Sequence, residues 1–463
     1  MRYFPEYLPD PEKERNPIPA VLQNNTIHTS TESWDAQTWK QIRKVIVTND
    51  LTLFVGNLTG EHWLNDARKD SRAKFSDTTE WFKVGVTVGG FRYWIVDTKQ
   101  WGYKDSSSDF LSFIKEVYSH CLGFSRPTPS SLGKRLMLES WLEHARLHEL
   151  TKIQDTDWPG EYIPEEYKEP KRRHPLPGKP CRMDLKDNLT GGRVECFSDV
   201  LPGYYKLDMD NALVSHYMTH PTGTARRFGE YQLLLPPFMS TSNRLTWNST
   251  SLDSLSRLGA TFFGRCIVEI QSELELGCFP FRDSSLTWPT STGRYESWLW
   301  KEQVMDCLHA GCNVWITDGW YWKWMTQDNK AWSEFMIHLR ETAPNEEVRK
   351  AIKRIASAAI STQGIGDARY FHAPMREYDY DAGDQRLYDS RGPLNVVVKT
   401  DRNSTRPTPI HWYAYTWMQV SRTLYRMALP HAQANKLVML HTDALYIKDE
   451  PERIEGWKKE LVQ

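Results

Sequence analysis

The sequence predicts an α+β fold with more than one domain, and three observations support this prediction. The chain has 463 residues, which is too long for one hydrophobic core and suits two or three domains. Apolar β-type runs at 51–58 and 91–98 precede amphipathic helical patterns at 108–123 and 130–150. A hairpin-like pattern at 192–210 then opens a second series of strand and helix patterns.

The later elements follow from hydrophobic periodicity and turn residues. A Pro-rich, charged stretch at 158–180 predicts a linker between the N-terminal region and the rest of the chain. Beyond it, the pattern at 192–210 predicts a β-hairpin that leads into a strand. Further helices are predicted at 297–311, 330–343, 345–361 and 409–432, and further strands at 260–271 and 436–447.

The composition is that of an ordinary globular protein, with 40% hydrophobic and 25% charged residues. The net charge is −1, so a nucleic-acid-binding surface would have to be local. Apolar runs such as 437–440 are far too short to span a bilayer, and residues 1–20 lack the apolar stretch of a signal peptide. We therefore expect a cytoplasmic protein with no membrane partner.

Cysteine and tryptophan usage provides no clear binding motif. The seven cysteines are scattered without a CxxC pair, so we interpret them as reduced core thiols rather than a zinc site. The twenty tryptophans are densest at 315–324 and are interpreted as packing residues. Base stacking on one or two of them is the alternative.

Three stretches, at 204–218, 346–366 and 436–447, carry the chemistry. The first and last each place one aspartate, Asp208 or Asp443, at the end of an apolar β-type run. The middle stretch is a basic helix with four cations: Arg349, Lys350, Lys353 and Arg354. Phosphoryl transfer is catalysed by positioning and charge neutralisation, so this order is expected for a site that holds divalent metal and a triphosphate.

Together these segments resemble a family B DNA polymerase of the protein-primed type. Asp208 in LDMDNALVSHYM matches the metal-binding Asp of the DxxSLYP motif. Asp443 in MLHTDALYI matches the second Asp of DTDS, and His441 replaces the first. The resemblance implies that both aspartates are catalytic and bind two Mg²⁺ (or Mn²⁺) ions.

The basic helix resembles the family's KxxxNSxYG motif, of which only the lysine is intact, as Lys353. The resemblance implies that Lys353 is catalytic, because it offsets charge on the leaving pyrophosphate, and that Arg340, Arg349 and Ser357 also belong to the nucleotide site. Leu213 stands where the family has a tyrosine under the sugar. We hypothesise that a nucleotide site with this leucine selects less strongly against ribonucleotides than a site with the tyrosine does.

DNA contacts are implied by two further matches. Residues 187–197 resemble the YxGG turn that touches the template strand, with Gly191, Gly192 and Arg193. Arg422 stands about where the family has a primer–template-binding arginine. The implied partners are DNA primer–template, dNTPs, and a terminal protein or other replication protein.

The resemblance also implies a domain order. It gives a degenerate exonuclease-like, RNase H-like α/β domain (1–157), the linker (158–180), a first palm part with an insertion and an antiparallel sheet (181–325), helical fingers (326–366) and a second palm part (367–463). The thumb is expected to be missing or minimal, since the chain stops 20 residues after Asp443.

The exonuclease motifs are incomplete. Asn57 is intact in the second motif, but Glu61 replaces its Asp. Asp109 is the candidate for the third motif, but Asp105 occupies the tyrosine position, and we assign no first motif in residues 1–50. The sequence therefore predicts no 3′–5′ exonuclease activity.

Two readings of function follow from the resemblance. The first is a DNA-directed DNA polymerase that extends a primer by two-metal phosphoryl transfer, in the host cytoplasm if it is encoded by a virus or plasmid. The alternative is a catalytically impaired relative that binds nucleic acid or assembles with a replication partner, and His441 and the eroded central motif favour it. A nuclease built on the N-terminal domain is a third, weaker option.

Overall fold

The structure is a computed structural model of the chain. It describes residues 15–78, 81–103, 106–140, 179–222, 225–229, 245–247, 260–283, 285–327, 329–364, 368–373, 385–388, 395–400 and 409–463. The chain divides into two compact units. Unit 1 comprises residues 1–3, 159–333 and 408–463, and unit 2 comprises residues 4–158 and 334–407.

Residues 15–140, in unit 2, form a mixed sheet with helices. The strands are β1 (Ile18–Gln23), β2 (Thr26–His28), β3 (Ser33–Asp35), β4 (Leu51–Val55), β5 (Ala73–Thr78), β6 (Trp81–Val88) and β7 (Phe91–Asp97). The helices are α1 (Trp39–Thr48), α2 (Leu64–Lys69), α3 (Ser108–His120) and a helical segment α4 at 129–140. The described strands form one seven-stranded sheet, ordered β3-β2-β1-β4-β7-β6-β5, in which β1, β4 and β7 are parallel.

The central position of β4 follows from its sequence. All five residues of LTLFV are buried, as expected for a parallel strand that is covered on both faces. Helix α1 begins at a capping box formed by Thr38 and Gln41, and it buries Trp39, Ile42 and Ile46 on one side. Local capping and helical periodicity therefore fix this helix against the sheet.

Residues 179–333 belong to unit 1 and are rich in strands. The helices are α5 (Lys179–Asp187), α6 (Ala212–His216), α7 (Lys301–His309) and α8 (Lys330–Glu341), the last of which continues into unit 2. The strands are β8 (Arg193–Cys196), β9 (Tyr205–Met209), β10 (His220–Thr222), β11 (Arg226–Gly229), β12 (Leu245–Trp247), β13 (Thr261–Ile270), β14 (Phe281–Arg282), β15 (Leu286–Thr287), β16 (Gly293–Trp300), β17 (Asn313–Trp322) and β18 (Trp324–Thr326). Strands β11, β17, β13 and β16 form a sheet in that order, and β12 also pairs with β17.

Residues 334–400 belong to unit 2. They contain the rest of α8, the long helix α9 (Glu346–Gly364) and the strands β19 (Ala368–Ala373), β20 (Gln385–Tyr388) and β21 (Asn395–Thr400). These strands form a small sheet ordered β19-β21-β20. Because residues 334–407 cluster with the N-terminal region, the predicted second palm part is divided between the two units.

The last segment completes unit 1 with α10 (Ile410–Gln433), β22 (Leu437–Thr442), β23 (Ala444–Ile447) and β24 (Trp457–Leu461). Strands from both segments of unit 1 form an antiparallel five-stranded sheet, ordered β24-β9-β23-β22-β8, which we call the acidic sheet. Buried leucines of this sheet share a core with Leu424 and Ala428 of α10. One face of the acidic sheet is therefore covered.

Two strand predictions are wrong. Strands β8 and β9 do not pair as the predicted hairpin, because β22 and β23 lie between them in the acidic sheet. The predicted final strand at 436–447 is itself a hairpin that turns between His441 and Ala444. The linker prediction at 158–180 lies almost wholly outside the described residues, as does the second half of the helix predicted at 130–150.

The cysteines and several tryptophans occupy core positions. All seven cysteines are free, and only Cys196 is exposed. Trp63, Trp322, Trp332 and Trp412 are among the largest fully buried side chains. Within the described part of the chain, no helix is both long and apolar enough to cross a membrane.

Candidate active site

The acidic sheet brings the two selected aspartates to neighbouring positions. Asp208, on β9, is paired with Ala444 of β23, the residue after Asp443. The next residue of β9, Met209, donates its backbone N–H to the carbonyl oxygen of Asp443 at 2.9 Å. Paired strands lie about 4.8 Å apart, so the two residues start from adjacent backbone positions.

Asp208 lies on the face of the acidic sheet opposite the α10 core. Its neighbours Leu207 and Met209 are buried, whereas Lys206 and Asp208 are only half-buried, as the two-residue period of a strand predicts. Directly paired residues share a face. Lys458 of β24 pairs with Asp208, and Glu460 pairs with Lys206, so four charged side chains share this surface.

Lysines compensate the carboxylates here. The Nζ of Lys206 lies 3.5 Å from Oδ1 of Asp208 and 3.8 Å from Oε2 of Glu460. The Nζ of Lys458 lies 3.2 Å from Oδ1 of Asp210. Burial lowers the pKa of Lys206, but Asp208 and Glu460 outweigh it, so its pKa is raised.

Lys206 and Lys458 were not among the site residues predicted from the sequence. The alternation of Lys206 and Asp208 with buried Leu207 and Met209 was a usable signal for one of them. Lys458 and Glu460 had no such signal, because their proximity depends on the long-range pairing of β24 with β9.

The turn that carries Asp443 has an unusual backbone. Thr442 has a φ of 61°, in the left-handed region that a β-branched residue rarely adopts. Gly192 packs against this turn: a Cβ added there would lie 2.5 Å from Cγ2 and 2.9 Å from Cα of Thr442. A Cβ on Gly191 would have nothing within 4 Å. Of the two glycines predicted to bind DNA, only Gly192 therefore has a steric role here.

Leu213 follows the acidic sheet on the short helix α6. It is partly buried and packs against a cluster of Met209, Ala212 and Val420. Asn211, which precedes the helix, has a φ of 52°, a conformation that asparagine tolerates well. Leu213 therefore lies close to Met209, the last residue of β9.

Arg193 requires a correction. It is predicted as a DNA-binding residue, but its side chain is buried and only 1% exposed. It pairs with Glu195, donates to the carbonyl oxygen of Gly277 at 2.8 Å and lies 5.1 Å from the ring centroid of Trp288. A guanidinium enclosed in this way is not presented to a phosphate.

Arg422 forms an ion pair within unit 1. Its Nε donates to Oδ2 of Asp306 at 2.6 Å, and its Nη2 donates to Oδ1 at 3.2 Å, so the pair is bidentate. The Asp306 side chain is only 5% exposed, and Arg426 donates to it as well. Arg422 thus forms an ion pair that joins α10 to α7, and the primer–template contact stays a prediction.

The predicted triphosphate residues lie in unit 2, mainly on α9. Its apolar side is buried and includes Val348, Ile352 and Ile355. Arg349, Lys353 and Ser357 recur every four residues and therefore form one stripe on the helix surface.

The predicted triphosphate residues on α9 and α8 differ in how exposed their side chains are. Lys353 is exposed, Ser357 is half-buried, and Arg349 lies 3.6 Å from Glu346. Arg340, in the last turn of α8, is half-buried. Helix α9 is anchored within unit 2, since Glu347 accepts a hydrogen bond from the Tyr103 hydroxyl at 2.8 Å.

The candidate exonuclease residues lie in the N-terminal region of unit 2. Asn57 and Asp109 are exposed, and Glu61 accepts a hydrogen bond from Nε1 of Trp63 at 2.9 Å. Asp105 lies outside the described residues. Across the ranges that the structure describes, no group of three or more His, Cys, Asp or Glu side chains could hold a metal ion.

Two carboxylates are nevertheless a suitable donor set for Mg²⁺. This ion prefers oxygen ligands and commonly takes one or two protein carboxylates, while substrate phosphates and water complete its shell. Asp208 and Asp443 provide two carboxylates at adjacent positions of the acidic sheet. The residues therefore fit a cation that is shared with a phosphate-bearing substrate better than a site closed by protein ligands alone.

The fold is shared with solved structures of a DNA polymerase. Phi29 DNA polymerase in an orthorhombic crystal form matches with a TM-score of 0.59 and 10% identity, over 92% of this chain and 76% of that one. Its ternary complex with primer–template DNA and incoming nucleotides matches with a TM-score of 0.61 and 10% identity, over 92% and 78% of the two chains. No family model and no curated protein matches the chain. At this identity the likeness shows the fold alone.

Proposed function

We propose that the chain is a DNA-directed DNA polymerase that extends a primer from dNTPs. The supporting observation is the adjacency of Asp208 and Asp443 on one antiparallel sheet, in a fold shared with Phi29 DNA polymerase. That polymerase has been solved with primer–template DNA and with incoming nucleotides. We propose the same two ligands for this chain.

Two bound Mg²⁺ (or Mn²⁺) ions would activate the primer 3′-hydroxyl and neutralise developing phosphate charge. In the proposed mechanism, Asp208 and Asp443 hold these cations, and the pairing of β9 with β23 fixes the spacing of the two residues. Gly192 lets the backbone approach the turn that carries Asp443.

We assign the triphosphate to Lys353, with Arg340, Arg349 and Ser357 as further contacts. This assignment rests on the motif resemblance and on the exposure of Lys353 on α9. A lysine ammonium and an arginine guanidinium both bind phosphate oxygens strongly, so they can offset charge on the leaving pyrophosphate. Leu213 is assigned to the sugar pocket.

We also propose the domain order that the resemblance implies, with palm, fingers and a degenerate exonuclease-like domain. The parallel centre of the N-terminal sheet, formed by β1, β4 and β7, supports an RNase H-like arrangement. The lack of 3′–5′ exonuclease activity stays a prediction from the incomplete motifs, in which Glu61 replaces the Asp of the second motif. A terminal-protein partner stays a prediction.

Primer extension with the Asp208→Asn and Asp443→Asn variants tests the proposal. Each substitution keeps the shape but removes the charge that holds a cation, so we expect extension to fall at least about 100-fold. Asp449→Asn is the matched control, because Asp449 is exposed and pairs with Lys436 at 2.7 Å. Extension at wild-type rates by both site variants would contradict the proposal.

The impaired-relative alternative is favoured by one observation, the ion pair of Lys206 with Asp208 at the candidate metal site. It predicts that the wild-type chain binds primer–template DNA without extending it. Fluorescence anisotropy with labelled primer–template, measured beside extension on the same preparation, separates the two functions.

A further inference from the structure

Lys206 has an ambiguous position on the acidic sheet. Its ammonium lies between two carboxylates, 3.5 Å from Asp208 and 3.8 Å from Glu460. Charge-assisted hydrogen bonds to a carboxylate usually measure about 2.7–2.9 Å, so the ammonium is committed to neither partner. It therefore has two alternative acceptors on one surface.

The strand pairing keeps both acceptors within reach. Lys206 and Asp208 are two residues apart on β9, and Glu460 of β24 is directly opposite Lys206. Asp208 is 24% exposed and Glu460 is 58% exposed. Glu460 is thus the better-solvated partner for an ammonium that leaves Asp208.

A cation that binds Asp208 must compete with this ammonium. A unit charge at such a distance weakens the attraction of the carboxylate for a second cation, and partial exposure to water moderates the effect. Lys458, the other lysine of this surface, is directed to Asp210 at 3.2 Å and has a partner of its own. Of the two lysines, Lys206 is therefore the one that pairs with Asp208 itself.

We propose that Lys206 is a positioning residue that neutralises Asp208 until a divalent cation binds, whereupon its ammonium pairs with Glu460. The inference rests on the proposed function, which assigns Asp208 to a cation. In this arrangement Lys206 and Glu460 together set the concentration of Mg²⁺ or Mn²⁺ at which the site fills. Neither residue needs to touch the nucleotide.

Direct Mn²⁺ binding in the absence of DNA tests this inference. Electron paramagnetic resonance of free Mn²⁺ would give the dissociation constant for the wild type and for Lys206→Met, Glu460→Gln and the double variant. We expect Lys206→Met to bind about tenfold more tightly, because the competing charge is gone. Glu460→Gln should bind about threefold more weakly, since Lys206 then has only Asp208 as a partner.

The double variant separates coupling from general charge effects. The Glu460→Gln effect should shrink in the Lys206→Met background, because the two residues act through one ammonium. Lys459→Met is the matched control, because it also removes one lysine charge from the acidic sheet. Lys459 lies on β24 and pairs with Glu450 at 2.7 Å instead of with Asp208. We expect it to leave Mn²⁺ affinity within about twofold of wild type.

The outcomes distinguish this inference from the proposed function. If Asp208→Asn abolishes Mn²⁺ binding but Lys206→Met leaves the affinity unchanged or weaker, only the role of Lys206 is overturned. If Asp208→Asn has no effect on Mn²⁺ binding, both the cation site and the role of Lys206 fail. Glu460→Gln changes an exposed side chain and should fold normally, so it tests the inference even if Lys206→Met is unstable. Weakened Mn²⁺ affinity of this variant supports the role of Lys206, and unchanged affinity contradicts it.

Discussion

At the scale of single residues, the candidate site depends on how closely two backbones approach. Gly192 lies against Thr442, whose left-handed φ of 61° sets the turn that presents Asp443. A conformation of this kind is costly for a β-branched residue and persists only when surrounding contacts enforce it. The glycine is therefore part of the support for the aspartate.

Gly192→Ala should destabilise unit 1. The added Cβ would meet the side chain and backbone of Thr442, and overpacking of this kind costs about 1–3 kcal/mol. Urea denaturation would measure the loss in free energy of unfolding, and primer extension should fall with it. Gly191→Ala is the control, with an expected change within about 0.5 kcal/mol, because its Cβ would enter open space. Equal effects of both substitutions on DNA affinity, without a change in stability, would favour a DNA-binding role for the two glycines.

At the scale of elements, periodic helices were predictable and strand pairing was not. The predictions at 345–361 and 409–432 correspond closely to α9 and α10, because helical periodicity is a local property of the sequence. The order of the acidic sheet depends on contacts between distant segments, so the sequence suggested a hairpin of β8 and β9 that does not form.

The same limit applies to the surroundings of two arginines. A single sequence shows that Arg193 and Arg422 are basic, but it does not show Glu195 or Asp306 beside them. By contrast, the adjacency of Asp208 and Asp443 was predictable, because each follows an apolar strand within a recognisable motif. Their catalytic roles stay predictions.

Arg422→Met should weaken the junction of α7 and α10. It leaves the buried Asp306 with Arg426 as its remaining arginine partner, so we expect a loss of about 2–3 kcal/mol, below the cost of a wholly unpaired charge. Arg426→Met, at a side chain that is 56% exposed, should cost less than about 1 kcal/mol. Chemical denaturation of both variants would check this ranking. Loss of DNA affinity by Arg422→Met at unchanged stability would instead support the primer–template contact.

At the scale of the whole molecule, unit 2 contains a carboxylate whose protonation affects stability. Unit 2 contains Asp70, which accepts hydrogen bonds from Nε1 of Trp39 at 2.9 Å and Nε of Arg72 at 2.9 Å, and it also pairs with Arg43. Burial raises the pKa of Asp70, but the hydrogen bonds from Arg72, Trp39 and Arg43 outweigh it, so its pKa lies well below the usual value. Acid should therefore destabilise this unit through protonation of Asp70.

Asp70→Asn should destabilise the chain at neutral pH and progressively less in acid. A carboxylate with a depressed folded-state pKa contributes stability above its unfolded pKa of about 3.9 and loses it as the pH falls towards the folded value. We expect a difference of about 2–3 kcal/mol at pH 7 that declines below about pH 4. Urea denaturation followed by circular dichroism at several pH values would measure it.

The control for Asp70 is its exposed neighbour Asp66, which pairs with Lys69 at 3.6 Å. Asp66→Asn should change stability by less than about 0.5 kcal/mol across the same pH range. A difference between Asp70→Asn and wild type that stays constant from pH 7 to pH 2 would show that the carboxylate charge is not responsible.

The acidic sheet also constrains how the protein matures. Asp208 and Asp443 are 235 residues apart in sequence, and β24 pairs with β9 across a similar separation. Contacts between residues so far apart in sequence form slowly, because a long loop must close before they stabilise the fold. During synthesis, β9 leaves the ribosome long before its partners exist, and its edges stay open to wrong pairing. A nascent chain must therefore complete this sheet before Asp208 and Asp443 can lie side by side, and chaperone dependence should be strongest in that interval.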